Sequence, residues 1–299
     1  MSATLFYRRL ASPLHATRST TAALWASALI AATLLIDHPL VLGALAVAVL
    51  GAGAGAGVGR ELARTLRAAL IVAVPIVAVN VLVSREGLTV FARLGDLGPF
   101  GQGDLTVEAL AYGAVIALRV GVLMLTTTLA SLAIDPDELL AVCRRLSFRS
   151  ALTASLAMRM IPILSADGQR LAEAQRTRPA GAQAGARARI RLLSAIVGSS
   201  LDRAMDVAAT LELRGFAASS GAGRRGPRAR RPWSRHDLAF GISAPCVLAL
   251  AVVGRLCGAE RFVAYPLLSA PVTAATLALA GALVAAVLLP LVDRRGIEP

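Results

Sequence analysis

Arg178 and Arg214 stand 36 residues apart, each at the end of a segment patterned as an amphipathic helix. Arg178 is followed by Pro179, which forbids helix continuation nearby. Arg214 is followed by Gly215, a good left-handed cap. A cation at a helix C-terminus is locally favourable, and that alone accounts for either arginine taken singly. Two such ends on matched segments suggest a duplicated docking device. A guanidinium presents five donors in a fixed fork, suited to carboxylates and carbonyls in a partner's groove. No bond-making chemistry accompanies them. The sequence holds no Walker A motif, no Ser/His/Asp constellation and no paired carboxylates in a plausible pocket. His15, His38 and His236 fall near the ends of apolar runs and read as interfacial groups rather than ligands. Cys143, Cys246 and Cys257 lack metal-ligand spacing and read as small buried apolar side chains. The expectation is a non-enzyme without metal or cofactor.

The segments that carry the two arginines have a clear period. Between 150 and 176 the apolar positions Leu152, Leu156, Met160, Ile163, Leu164 and Leu171 recur at helical spacing, with Arg159, Gln169, Arg170, Glu173 and Arg176 mostly on other faces. Pro162 is expected to kink or split this segment. Between 190 and 214 the apolar set is Ile190, Leu193, Val197, Leu201, Ala204, Ala208 and Leu211, complemented by Arg191, Asp202, Arg203, Asp206 and Glu212. Both carry too many charges to span a bilayer. They belong to a basic stretch, 134–236, that holds 18 of the chain's 31 basic residues against 8 acidic ones, and so supplies +10 of the net +13.

Around this stretch the chain is apolar. Of its 299 residues 56% are hydrophobic and only 16% charged, and the mean hydropathy is +0.68. A soluble domain is about half apolar and about a quarter charged, so clustered apolar runs mark an integral membrane protein. Every basic residue is arginine. Six candidate spans lie at 20–36, 40–58, 68–83, 108–134, 238–257 and 271–292, the first and third being short. Asp37-His38-Pro39 forms a tight turn between the first two, for which a re-entrant pair is the alternative. With six spans, Arg8, Arg9 and Arg18, the loop arginines Arg60, Arg64 and Arg67, the basic stretch, and Arg294 with Arg295 all fall on one side. By the arginine rule that side is cytoplasmic, as are both termini.

Within the spans, Gly51, Gly53, Gly55, Gly57 and Gly59 alternate with small residues. A phosphate-binding loop would need a following Gly-Lys-Ser/Thr and a preceding strand, so close helix packing is the better reading. Arg119 sits near the middle of the fourth span. It is a site hypothesis by the cost of a charge in lipid, and equally a structural arginine bonded to helix carbonyls or snorkelling. Pro75 is expected to kink the third span, and Asn80 to bond across helices.

The chain resembles the transmembrane T component of energy-coupling factor transporters, the CbiQ-type family, which carries two short Ala-Arg-Gly-type signatures at the tips of cytoplasmic coupling helices. The matching stretches are 171–178, ending Gln175-Arg176-Thr177-Arg178, and 205–216, ending Glu212-Leu213-Arg214-Gly215-Phe216. Asp135-Pro136-Asp137-Glu138-Leu139-Leu140, Met158-Arg159-Met160-Ile161-Pro162 and Arg119 are further similar pieces, and the resemblance covers roughly residues 20 to 216. The first signature departs from the pattern at Thr177 and Pro179, the second at Leu213.

The resemblance implies a scaffold. Two cytosolic ATP-binding cassette ATPases would dock at Arg178, Arg214, Gly215, Glu212 and Arg176. A membrane-embedded substrate-binding S component would ride on the apolar faces of the same helices, for uptake of a vitamin or metal ion. The implied architecture is all-α and polytopic: an N-terminal membrane domain at 1–134, a cytoplasmic coupling-helix region at 135–236 and a C-terminal membrane segment at 237–299, in the plasma membrane. The run Arg224-Arg225-Gly226-Pro227-Arg228-Ala229-Arg230-Arg231 reads as a contact for anionic lipid, not for nucleic acid, since aromatic interleaving is nearly absent. Competing readings are a self-sufficient secondary transporter using Arg119, Asn80 and Glu108, and a membrane-anchored enzyme. Few intramembrane polar groups and no visible inverted repeat oppose the first; the lack of clustered His, Cys or paired acids opposes the second.

Overall fold

The computed structural model describes residues 10–84, 87–96, 102–143, 148–176, 186–213 and 233–293. These are overwhelmingly helical, and the chain forms two compact units, residues 1–139 with 233–299, and residues 140–232. Arg178, Arg214, Gly215 and the basic run 224–231 lie outside the described residues.

The first unit joins sequence from both ends of the chain. Its helices are α1 (Pro13–Ala16), α2 (Ser19–Leu35), α3 (Pro39–Gly55), α4 (Gly59–Val83), α5 (Val107–Ala133), α9 (Arg235–Leu256) and α10 (Ala274–Val292), and α6 (Pro136–Cys143) begins within it. Four of these, α4, α5, α9 and α10, are long and apolar enough to cross a bilayer; α2 and α3 are shorter apolar helices of 17 residues. At 1.5 Å per residue, α2 and α3 reach about 25 Å and α5 about 40 Å. All six expected runs are therefore helices, with shifted ends. The third is longer than hydropathy indicates, because Arg60, Arg64 and Arg67 stand within the first turns of α4 rather than in a loop. They repeat at i, i+4 and i+7 along one exposed face. Pro75 lies inside α4, which continues through it.

The two short helices occupy the centre. Leu29, Ala32, Val41, Leu42, Leu45, Ala48, Val49 and Ala52 are all fully buried. α2 packs on α9 and α5, and α3 on α10 and α5. Lipid offers no hydrophobic gain for such contacts, so close approach and interhelical hydrogen bonds must hold them. Both are present. A Cβ on Gly51 would lie 3.1 Å from Leu288 of α10, and one on Gly53 only 2.5 Å from Leu62 of α4. The alternating glycines are thus packing positions. Gly57 differs: at φ +79° it closes α3, with the Val58 N–H donating to the Gly53 carbonyl. Trp25 Nε1 donates to Ser243 Oγ at 3.1 Å, and Ser243 Oγ donates to the Ala286 carbonyl at 2.6 Å, tying α2, α9 and α10 together. Phe240 meets the Trp25 ring edge-on at 5.3 Å.

Polar contacts fix both ends of this bundle. At one end the Glu138 carboxylate accepts from the Ser19 N–H and hydroxyl, and Asp237 accepts from the Arg18 N–H at 2.7 Å while closing the capping box of α9 with Ser234. At the other end the segment between α4 and α5 contains an antiparallel hairpin of β1 (Val90–Asp96) and β2 (Gln102–Thr106).

The second unit consists of α7 (Phe148–Arg176) and α8 (Ala186–Leu213), packed on each other. Pro162 does not split α7, which runs through it as one helix.

Candidate docking platform

The period read between 150 and 214 becomes two helices of 29 and 28 residues. They meet where side chains are small: a Cβ on Gly168 of α7 would lie 3.5 Å from Ile196 of α8. One ion pair reinforces the meeting. Arg203 Nη1 and Nη2 both donate to Asp167 Oδ2 at 3.1 Å, and Arg170 lies 3.9 Å from the same carboxylate. Asp167 is only 20% exposed, so this pair is shielded on one side. Arg203 was legible as part of a polar face; its partner Asp167 was not, because pairing across two helices leaves no mark in either period.

The apolar stripe of α8 is uncovered within this unit. Ile190, Leu193, Val197, Leu201 and Met205 are each 60–67% exposed, and their spacing of three and four places them on one face. On α7, Met158, Ile161 and Ile163 are exposed as well. A helix pair that shows so much aliphatic surface is built to be covered. Beyond Met205, α8 continues to Leu213. Glu212 is exposed in its last turn, and Leu213 is its final residue, one before Arg214. Arg176 is the final residue of α7, two before Arg178. The two helix ends therefore deliver the chain to both signature arginines, which themselves fall outside the described residues together with Gly215.

Arg119 stands elsewhere, in the first unit. Its Nη2 donates to the Ile36 carbonyl at 2.9 Å and pairs with Asp37 Oδ1 at 2.5 Å. Arg255 of α9 approaches from the other side, donating to the Leu35 carbonyl at 2.6 Å and to Asp37 Oδ2 at 3.1 Å. Asp37 is thus a hub between α5 and α9. Mid-helix in sequence, Arg119 is level with the α2–α3 turn, because α2 is short and α5 long. Its charge is matched by a turn carboxylate, which sequence position alone did not reveal.

Asn80 donates to the Ile76 carbonyl of its own helix at 3.0 Å, not across helices. Cys246 and Cys257 are exposed rather than buried, since that face of α9 has no helix against it. Among the described residues no group of three or more His, Cys, Asp or Glu side chains is placed to hold a metal. His15 is buried between Ser12 Oγ at 2.7 Å and the Leu132 carbonyl at 3.3 Å, and burial lowers its pKa against the opposing effect of that carbonyl.

Residues 11–222 match the family model described as CbiQ, cobalt transport protein. The chain belongs to this family. It is similar to the energy-coupling factor transporter transmembrane protein EcfT of Exiguobacterium sibiricum, 28% identical over 212 residues, covering 66% of this chain and 74% of that protein. The match extends over α1 to α8 and both signature arginines, and the chain is a multi-pass membrane component of this transporter family.

Proposed function

We propose that this CbiQ-family chain is the coupling subunit of an energy-coupling factor transporter, joining cytosolic ATP-binding cassette ATPases to a membrane-embedded substrate-binding subunit. The observation that carries the reading is the α7–α8 pair, pinned by Asp167 and Arg203, with an uncovered aliphatic stripe from Ile190 to Met205 on α8, whose last residue, Leu213, precedes Arg214 in the sequence. The stripe suits an apolar partner, the S component. The helix tips suit a polar groove on an ATPase, filled by Arg178 and Arg214 with Arg176, Glu212 and Gly215 around them. ATP hydrolysis belongs to the ATPases. Their closure shifts α7 and α8, and the shift reorients the substrate subunit to release a vitamin or metal ion inward.

The arginine distribution supports a plasma-membrane topology with both termini and the platform cytoplasmic. Arg18, Arg60, Arg64, Arg67 and Arg235 gather at the bundle end opposite the hairpin. The basic run 224–231 suits an anionic lipid surface. The test is co-purification from native membranes with mass spectrometry. Two ATPase subunits and a small membrane protein are expected to accompany the wild-type chain, and Arg178→Glu to lose the ATPases. A chain that purifies alone and transports by itself contradicts the proposal.

A further inference from the structure

Glu260 lies in the connection between α9 and α10, the kind of loop in which an acidic residue is ordinarily solvated. Here the residue is 5% exposed, and neither carboxylate oxygen has a hydrogen-bond partner among the described residues. The burial is built in. A Cβ on Gly254 would sit 2.8 Å from Glu260 Oε1, so only glycine at that position of α9 lets the carboxyl lie against the helix. The loop is held over it from the other side, where the Thr276 hydroxyl of α10 donates to the Ala259 carbonyl at 2.9 Å. Gly258, at φ +70°, turns the chain, and Arg261 Nε would be 2.7 Å from a Cβ placed there. A cleft of about 210 Å³ opens at this point, lined by Asp37, Arg255, Gly258, Glu260, Arg261, Phe262 and Val263.

Such a carboxyl has two stable conditions. Neutral, it costs less to bury than ionised; ionised, it requires a cation. Arg255 and Arg261 both line the cleft, and Arg255 is engaged by Asp37 Oδ2 and the Leu35 carbonyl. We propose that Glu260 is a proton-binding site that sets this clasp. With the proton on, Arg255 stays with Asp37 and ties the end of α9 to the α2–α3 turn and, through Arg119, to α5. With the proton off, Glu260 competes for Arg255 and the clasp loosens. Burial raises the Glu260 pKa to about 7, with the Asp37 charge adding and Arg255 opposing. The charged groups that line the cleft with it are Asp37, Arg255 and Arg261; Arg119 pairs with Asp37, and His38 follows Asp37 in the turn. α10 contributes no ionisable side chain, and Tyr265 further along the loop bonds Ser84. Proton concentration on this side of the membrane thereby adjusts how firmly three helices of the bundle are joined.

The experiment is an infrared pH titration of the full-length protein in lipid nanodiscs, read at the carbonyl stretch of a protonated carboxylic acid. A band that disappears with a midpoint near pH 7 is expected in the wild type and absent from Glu260→Gln. No such band at pH 6, or the same band in Glu260→Gln, overturns the site. Two variants test the clasp without altering Glu260. Asp37→Asn removes a like charge and frees Arg255, so the midpoint falls by about tenfold or more in proton affinity. Arg255→Gln removes the cation, and the midpoint rises. Opposite shifts support competition for Arg255; shifts in one direction, or none, overturn it. Should Glu260→Gln fail to fold, these two variants decide the matter.

Discussion

Breaking the Asp167–Arg203 pair should uncouple transport without dismantling the membrane bundle. Both guanidinium nitrogens donate to one carboxylate oxygen at 3.1 Å, and the side chains are 20% and 35% exposed. A fully exposed ion pair contributes roughly 0.2–1 kcal/mol, and removing one partner of a buried pair costs roughly 3–5 kcal/mol. This pair stands between those limits, and charge-assisted hydrogen bonds contribute about 1.5–3 kcal/mol each. Arg170, 3.9 Å from the same carboxylate and 80% exposed, compensates only weakly when Arg203 is removed. A loss of about 1.5 kcal/mol in α7–α8 association follows, about a tenfold shift toward separated helices. Arg203→Ala and Asp167→Ala should therefore lower substrate uptake several-fold while each chain still inserts and binds ATPases. The reciprocal exchange, Asp167→Arg with Arg203→Asp, should restore much of the loss. Uptake assays in vesicles, with ATPase retention scored on the same samples, give both readings. Undiminished uptake in both single variants, or an exchange no better than either, would refute the pair as the pin between the helices.

Three further outcomes follow from the bundle. Ser243→Ala strands the buried Trp25 Nε1–H and a carbonyl contact. The melting temperature in detergent should fall by the equivalent of about 1–2 kcal/mol, and a cycle with Trp25→Phe should show coupling of about 0.6–1.7 kcal/mol. Gly57→Ala forces a side chain into φ +79° and should destabilise by about 1–2 kcal/mol, whereas Gly43→Ala, with open space at its Cβ, should be harmless. Stability should also depend on pH through Glu260. Its pKa is raised from 4.5 to about 7, so the folded chain holds a proton that the unfolded chain has lost. Stability then falls as pH rises from about 4.5 to about 7, by about 3 kcal/mol in total. Glu260→Gln should remove this dependence, and thermal unfolding at pH 5, 6, 7 and 8 checks it.

What the sequence declared was set by period and composition. Six apolar runs became six helices, and the stripe from Ile190 to Met205 became one exposed face of α8. The start of α4 was hidden because Arg60, Arg64 and Arg67 depress hydropathy without depressing helicity. The hairpin at 90–106 was hidden because its short strands alternate weakly. Asp37 gave no sign of its partners, since Arg119 and Arg255 are 82 and 218 residues away. Nothing in the spacing around Glu260 marks it; only the fold of its loop against Gly254 buries it. Arg178 and Arg214 lie outside the described residues, and the helix ends at Arg176 and Leu213 stand just before them in the sequence.

The central claim of the proposed function is that Arg214, the residue following α8, grips a nucleotide-driven partner. Arg214→Glu tests it most directly, scored for ATPase recruitment in membranes where the variant chain is inserted at wild-type level. The account predicts that the ATPases are lost and coupled uptake with them. Full recruitment and normal uptake by the charge-reversed chain would contradict it.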